Sequence, residues 1–424
     1  MWRIIIGFLA LISSTAIWGQ SIDEAYVTRL ISTLASDEME GRKSGTPGCE
    51  KAATFIAAEF KNIGLDFYEG NSYLQKFSIR QVSAGKRQLV LNGQPIAEGD
   101  FIANFDEETL KISNPSELEV VTVGPEDNLF QILRKPGKSI KPLFLLVDPV
   151  HKGRSRRYRK YIEERMVAGS EAGRRWIACH TTAKTVESIS LECRNKLGDI
   201  QLANVVGVLP GKGKKDEIVL FSAHYDHLGR LAPVEDDDIA NGADDDGSGT
   251  TAVIALARYF KQMGNPERTL VFVAFTAEEI GGFGSLHLAG KINPDRYIAG
   301  VNIEMIGKLS KFGPGQAFIT GFEKSDLGTI LQANSKGKAF GFHPDPYPEK
   351  NLFYRSDNAT FARMGIPAHS VSTDKIDQDP YYHTVNDELE TLDLTNMTLV
   401  IRAIAESVSS LVDGTDTPSR LPIR

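Results

Sequence analysis

The sequence has only three cysteines, Cys49, Cys179 and Cys193, too few for a scaffold stapled by disulfides. Cys179 and Cys193 either pair or stand as two separate buried thiols, a choice that spacing leaves open because a disulfide demands a specific geometry. Positive charge is not in excess: 48 Lys and Arg face 55 Asp and Glu, a formal net charge of −7, so there is no overall pull toward nucleic acid. Past the N-terminus no apolar stretch reaches the ~20 residues that span a bilayer. No solenoid-length repeat and no common Gly-rich phosphate loop occurs. What remains is an ordinary globular composition, 41% hydrophobic and 24% charged. At 424 residues the chain exceeds the usual size of one compact core, which predicts one large domain with an insertion, or two domains.

The N-terminus reads Met1-Trp2-Arg3, then the apolar run Ile4 to Ile12, then small and polar residues to Gln20. This is the layout of a secretory signal peptide cleaved between Ala16 and Ser21, and it predicts a secreted or periplasmic protein with no stable membrane insertion afterwards. No cysteine stands just after the leader, which argues against a lipid anchor.

Four segments are expected: the leader 1–20, a first stretch 21–72, an inserted β-rich domain 73–200, and the main part 201–424. Apolar residues at helical spacing predict helices over Ile22–Leu34 and Gly48–Ile63, with Glu40-Gly41-Arg42 and Gly45-Thr46-Pro47 in the turn-rich loop between them. The insertion carries short β-like runs such as Gln88–Leu91, Leu118–Val123 and Pro142–Val147. Its basic stretch His151–Arg165 is interrupted by Glu163 and Glu164 and lacks interleaved stacking aromatics, so a solvated helix face is the expectation. From Ala203 onward strand-like runs alternate with helical ones, the pattern of a mostly parallel or mixed central sheet flanked by helices. Strands are expected over Asn204–Val208, Glu217–Ser222, Thr269–Phe275, Ile298–Ile303, Ala317–Thr320 and Pro367–Val371, with helices over Thr250–Met263 and Leu394–Leu411.

In open parallel sheets ligands collect beyond the carboxyl ends of the strands. Three of the expected strands end in metal-binding residue types: His224-Tyr225-Asp226-His227, Thr276-Ala277-Glu278-Glu279, and Glu304. An acidic turn, Asp244-Asp245-Asp246, lies just before a helix, and Tyr381-Tyr382-His383 lies in a late loop. Imidazole with carboxylate suits zinc, with manganese or cobalt as substitutes. Adjacent glutamates directly after a buried strand need a cation or a shared proton. Asp226, two residues beyond His224, is placed to accept the other ring N–H. The acidic run Glu235–Asp238 lacks the alternation of a calcium loop and reads as solvated.

These segments resemble peptidase family M28, a group of zinc-dependent exopeptidases that includes aminopeptidases and glutamate carboxypeptidase. The likeness runs through Asn204-Val205-Val206-Gly207, Ser222 to Gly229, Gly242 to Gly249, Thr276 to Gly281, Asn302 to Gly307, Ser356-Asp357 with Gly365 to Ala368, and Tyr382-His383-Thr384. It also reaches the Glu40-Gly41-Arg42 loop, leaving roughly 73–200 unmatched.

The resemblance implies a dinuclear site in which Asp245 bridges, His224 and Glu304 complete one position, and Glu279 and His383 the other. It implies Glu278 as general base and Tyr382 as donor to the developing oxyanion, with a peptide as substrate and an aminopeptidase activity. Two positions depart from the family: Glu304 stands where Asp is usual, and Asn358 where many members have His. The alternatives are a carboxypeptidase or dipeptidase of the same fold, a one-zinc glutaminyl cyclase, or a receptor-like binding protein that keeps the fold without the chemistry.

Overall fold

The computed structural model describes residues 22–134, 141–168, 175–264 and 266–423. The expected leader lies outside the described residues. The chain forms two compact units, Met1–Gln75 with Asn204–Arg424, and Lys76–Ala203. No described helix is long and apolar enough to cross a membrane.

The first unit is built on a mixed sheet. Its middle is four parallel strands in the order Ala368–Ser372, Tyr297–Ile303, Lys214–His224 and Arg268–Phe275. The end of Ile189–Leu209 adds antiparallel to Arg268–Phe275, while Gln316–Ile319 adds antiparallel on the far side and Gly341–Pro344 runs parallel to it. The central strands are buried on both faces, which is why they read as continuous apolar runs. Alternate residues point to opposite faces. Val219, Phe221 and Ala223, with Leu270, Phe272 and Ala274, pack toward helices Glu24–Leu34, Pro47–Ile63, Gly249–Met263 and Leu394–Ser407. Ile218, Leu220, Val271 and Val273 face Phe283–Ala289 and Asn358–Arg363 on the other side. This is the helix-flanked α/β sheet expected from the alternation of runs.

The boundaries differ where chain direction changes. Leu394–Leu411 is two helices, Leu394–Ser407 and Ser409–Val412. The acidic run Glu235–Asp238 is the turn of a hairpin, Gly229–Val234 with Asp237–Ala240, and Glu235 and Asp236 both take positive φ, as a tight primed turn requires.

The second unit has its own sheet, in the order Phe101–Asn104, Trp176–His180, Leu143–Val147 and Glu119–Val123. Cys179 and Cys193 sit in its core as separate thiols, and burial pushes them up to about 12 and about 11. The basic stretch forms helix Lys152–Glu163, in which Ser155 alone is buried.

Arg42 ties the first unit together. Fully buried, it donates to four kinds of carbonyl: Leu34 at the end of the first helix (2.6 Å), Tyr225 beyond a central strand (2.7 Å), and Asn241 and Gly242 (2.5 and 2.8 Å) in the acidic turn. A methionine would fill the volume and leave those carbonyls without a partner. Arg42→Met is therefore expected to cost about 3–5 kcal/mol, read as a lower denaturation midpoint; an unchanged midpoint would remove this role.

Candidate metal centre

The carboxyl ends of the parallel strands and two loops converge on one buried cluster. His224 is the last residue of its strand, Glu278 and Glu279 follow Phe275, and Glu304 follows Ile303. Asp245 comes from the turn before helix Gly249–Met263, and His383 from the loop after Asp379.

Asp245 lies between two sets of donors. Its Oδ1 is 3.3 Å from His224 Nε2, which is also 3.3 Å from Glu304 Oε1. Its Oδ2 is 3.2 Å from His383 Nε2, which is 3.3 Å from Glu279 Oε2. Two ligands of one tetrahedral zinc, each at 2.0–2.1 Å, lie about 3.3 Å apart. All four separations match that edge, so the donor set fits two zinc-type ions sharing Asp245.

His227 was not singled out as a ligand by the sequence, and it too joins Asp245 and Glu279 in a group able to hold a metal. The distances assign it a different part. His227 Nδ1 is 2.9 Å from Glu279 Oε1 and 3.9 Å from Asp245 Oδ2, a hydrogen bond to one and no contact with the other. His227 thus holds the Glu279 oxygen that faces away from His383. A histidine three residues after His224 was visible in the sequence; which carboxylate oxygen it would meet was not.

Asp226 meets the other ring nitrogen of His224, through its backbone and not its side chain. His224 Nδ1 is bonded to its backbone carbonyl (3.0 Å), while its carboxylate is 3.8 Å away. The carboxylate instead accepts from Ser44 Oγ (2.8 Å) and from the Glu278 backbone N–H (3.1 Å). Fixing a tautomer needs only an acceptor, and the carbonyl supplies it. Asp226 is left to position Glu278.

Other buried acids hold the backbone. Asp246 accepts from the His224, Met305 and Gly249 N–H groups, and Asp387 from those of Asp244 and Asp245. Gly249 has no room for a side chain, since a Cβ there would meet Ile303 O at 2.2 Å. The extra methylene of Glu304 is absorbed by anchoring its second oxygen to Ser356 Oγ (2.5 Å) and Asn302 Nδ2 (3.4 Å). Asn358 is buried and bonds the Phe353 and Ala368 carbonyls. Tyr382 stacks on His383, centroids 3.9 Å apart, and its hydroxyl accepts from Arg355 (3.2 Å).

The carboxylates of the site must be offset by a cation or by protons. Burial alone would lower the two imidazoles, yet the carboxylates around His224 hold it well above its ordinary value, and those around His383 push it up to about 10. Burial, reinforced by Glu304, drives Glu278 well above the carboxylate range. Without metal, protons on histidine are the charges that offset Asp245, Glu279 and Glu304.

Residues 204–408 match the model of peptidase family M28. The match covers 205 of the chain's 424 residues. Among curated relatives, a probable leucine aminopeptidase of Trichophyton verrucosum is 30% identical over 207 residues, 46% of this chain and 52% of its own length. Aminopeptidase YwaD of Bacillus subtilis is 25% identical over 218 residues, 48% and 44% of the two chains. The chain therefore spans about half the length of the curated relatives it matches. The fold extends further. A zinc aminopeptidase of Bacillus subtilis superposes with a TM-score of 0.55 at 19% identity, covering 96% of this chain and 100% of the other. An aminopeptidase from Aneurinibacillus sp. strain AM-1 gives 0.54 at 18%, covering 95% and 96%.

Proposed function

We propose that the chain is an exported aminopeptidase of family M28 that removes N-terminal residues from peptides at a dinuclear zinc centre, with manganese or cobalt as possible substitutes. The observation that carries this reading is the pair of ligand-length triads sharing Asp245, with Glu278 beside them, its Oε2 4.0 Å from His224 Nε2. The layout of residues 1–20 supports export.

His224, Asp245, Glu304, Glu279 and His383 would hold zinc, which would supply Lewis acidity toward a scissile carbonyl and a water activated at neutral pH. Glu278 takes the proton of the attacking water and passes it to the departing amine. The position of its backbone comes from Asp226, not from its own charge. Tyr382 offers a phenol to the oxyanion; burial raises its pKa, so it stays protonated.

The test is elemental analysis together with hydrolysis of matched free-amine and N-acetylated peptides, before and after chelation. About two zinc equivalents, cleavage of the free-amine series alone, and loss of cleavage on chelation with return on added zinc are expected. One equivalent with cyclisation of N-terminal glutamine, or equal cleavage of blocked peptides, would sink the proposal.

A further inference from the structure

Helix Lys152–Glu163 of the second unit turns a strongly cationic face outward. It packs against its own unit through Ser155, Arg159 and Ile162. Ser155 Oγ meets His180 Nε2 at 2.9 Å, Arg159 bonds the Phe101 carbonyl (2.6 Å) and Glu163 (2.8 Å), and Ile162 packs on an apolar cluster. Arg154, Arg157, Tyr158 and Tyr161 follow one another at spacings of three and four, which gathers them on the opposite face. Arg156 and Lys160 flank them, and Val150 stands one turn earlier.

Two features set this face apart from the merely solvated one that the sequence predicts. Its charge is of one sign, whereas an ordinary solvated surface intersperses both. No acid lies between Lys152 and Ile162, Lys152 is committed to Asp100, and Glu163 to Arg159. Arg154, Arg156, Arg157 and Lys160 form no ion pair among the described residues. The chain as a whole carries −7, but charges beyond a screening length of ~8 Å at physiological salt count for little, so the local patch decides what approaches. The second feature is apolar exposure in the same place: Tyr161 is 74% exposed and Val150 65%.

We propose that this face docks on an anionic lipid surface, its cations among the phosphates and Val150, Tyr158 and Tyr161 at the boundary between headgroups and acyl chains. Basic residues sharing one helix face with aromatic and aliphatic ones are the pattern of helices that lie in a membrane interface. Tyrosine suits that boundary, with an apolar ring and a polar hydroxyl. A nucleic-acid backbone would use the same cations and offer nothing to Val150. The chain would lie on the bilayer, since no described helix is long and apolar enough to cross it. The proposal goes beyond the aminopeptidase reading and does not depend on the metal centre.

The test uses the chain from Ser21 onward, which contains every described element, so that the apolar run Ile4 to Ile12 takes no part. Co-sedimentation is measured with vesicles of phosphatidylcholine alone and of phosphatidylcholine mixed with phosphatidylglycerol. The wild type is expected to bind only the mixed vesicles and to leave them as salt rises from ~0.1 to ~1 M, where the screening length falls from about 10 to about 3 Å. A basic side chain near the surface is worth about fivefold in partitioning, so Arg154→Gln/Arg157→Gln should bind roughly twenty-fivefold more weakly. A second pair, Arg156→Gln/Lys160→Gln, should lose a similar factor, and Tyr161→Ser should weaken binding at both salt levels.

All variants should keep the wild-type melting temperature and rate of peptide cleavage, since none of these side chains is buried or belongs to the metal centre. Equal binding to the two kinds of vesicle, no binding to either, or double variants that bind as the wild type does would overturn the proposal. So would tighter binding of a single-stranded oligonucleotide than of mixed vesicles, lost in the same variants, which would assign the patch to nucleic acid. Absence of peptide cleavage would count against the aminopeptidase reading, while the vesicles still decide this one.

Discussion

Glu278→Gln is expected to keep both metal equivalents and the fold while lowering kcat by roughly 10²–10⁴, the range that general base catalysis supplies. The replacement keeps shape and volume and removes only the ability to accept a proton. Its backbone anchor survives, because the Asp226 carboxylate bonds the Glu278 N–H and not its side chain. None of the ligand-length contacts to Asp245 involves Glu278, so metal content should not follow the mutation. KM should change little, since the lost interaction exists only on the way to the transition state. Steady-state kinetics and elemental analysis on the same preparation decide the matter. A variant within tenfold of wild type would remove Glu278 from the base role, and a variant that has shed metal would make it a structural residue.

How much of this was legible beforehand depends on the kind of contact. His224, Glu279 and Glu304 could be placed because each follows a strand whose apolar run announces it, and parallel strands deliver their carboxyl ends to one edge. Asp245 and His383 come from loops, where no periodicity places them; the family likeness did so. What could not be read was which atom of a residue does the work. Asp226 has both a carbonyl and a carboxylate within reach of His224, and the choice between them depends on Ser44 and the Glu278 N–H arriving from distant parts of the chain. His227 poses the same problem at Glu279. Arg42 looked like part of a turn, and its partners at Tyr225, Asn241 and Gly242 are some two hundred residues away in sequence. Short helices such as Leu327–Asn334 and Asn358–Arg363 offer too few turns for a period to show.

Asp245→Asn should have the largest effect on the protein as a whole, because one side chain serves both metal positions. Its two oxygens are separately aimed, Oδ1 at His224 and Oδ2 at His383. An amide keeps one oxygen and turns an N–H₂ donor toward the other imidazole, which cannot then share a metal with it. Elemental analysis is expected to fall from about two equivalents to below one, with activity down by about three orders of magnitude, equivalent to ~4 kcal/mol.

A second readout separates metal loss from a disturbed fold. A ligand that binds the folded state raises its stability in proportion to the logarithm of ligand concentration over Kd, about 2.7 kcal/mol at a hundredfold excess. The wild-type melting temperature should therefore climb with added zinc, while that of Asp245→Asn stays flat. The backbone at this position is held independently, through the Asp245 N–H to Asp387, so the variant should still fold, with a metal-free melting temperature lowered by the loss of the carboxylate that faces His224 and His383. If it still climbed with zinc as the wild type does, the bridging assignment would be lost.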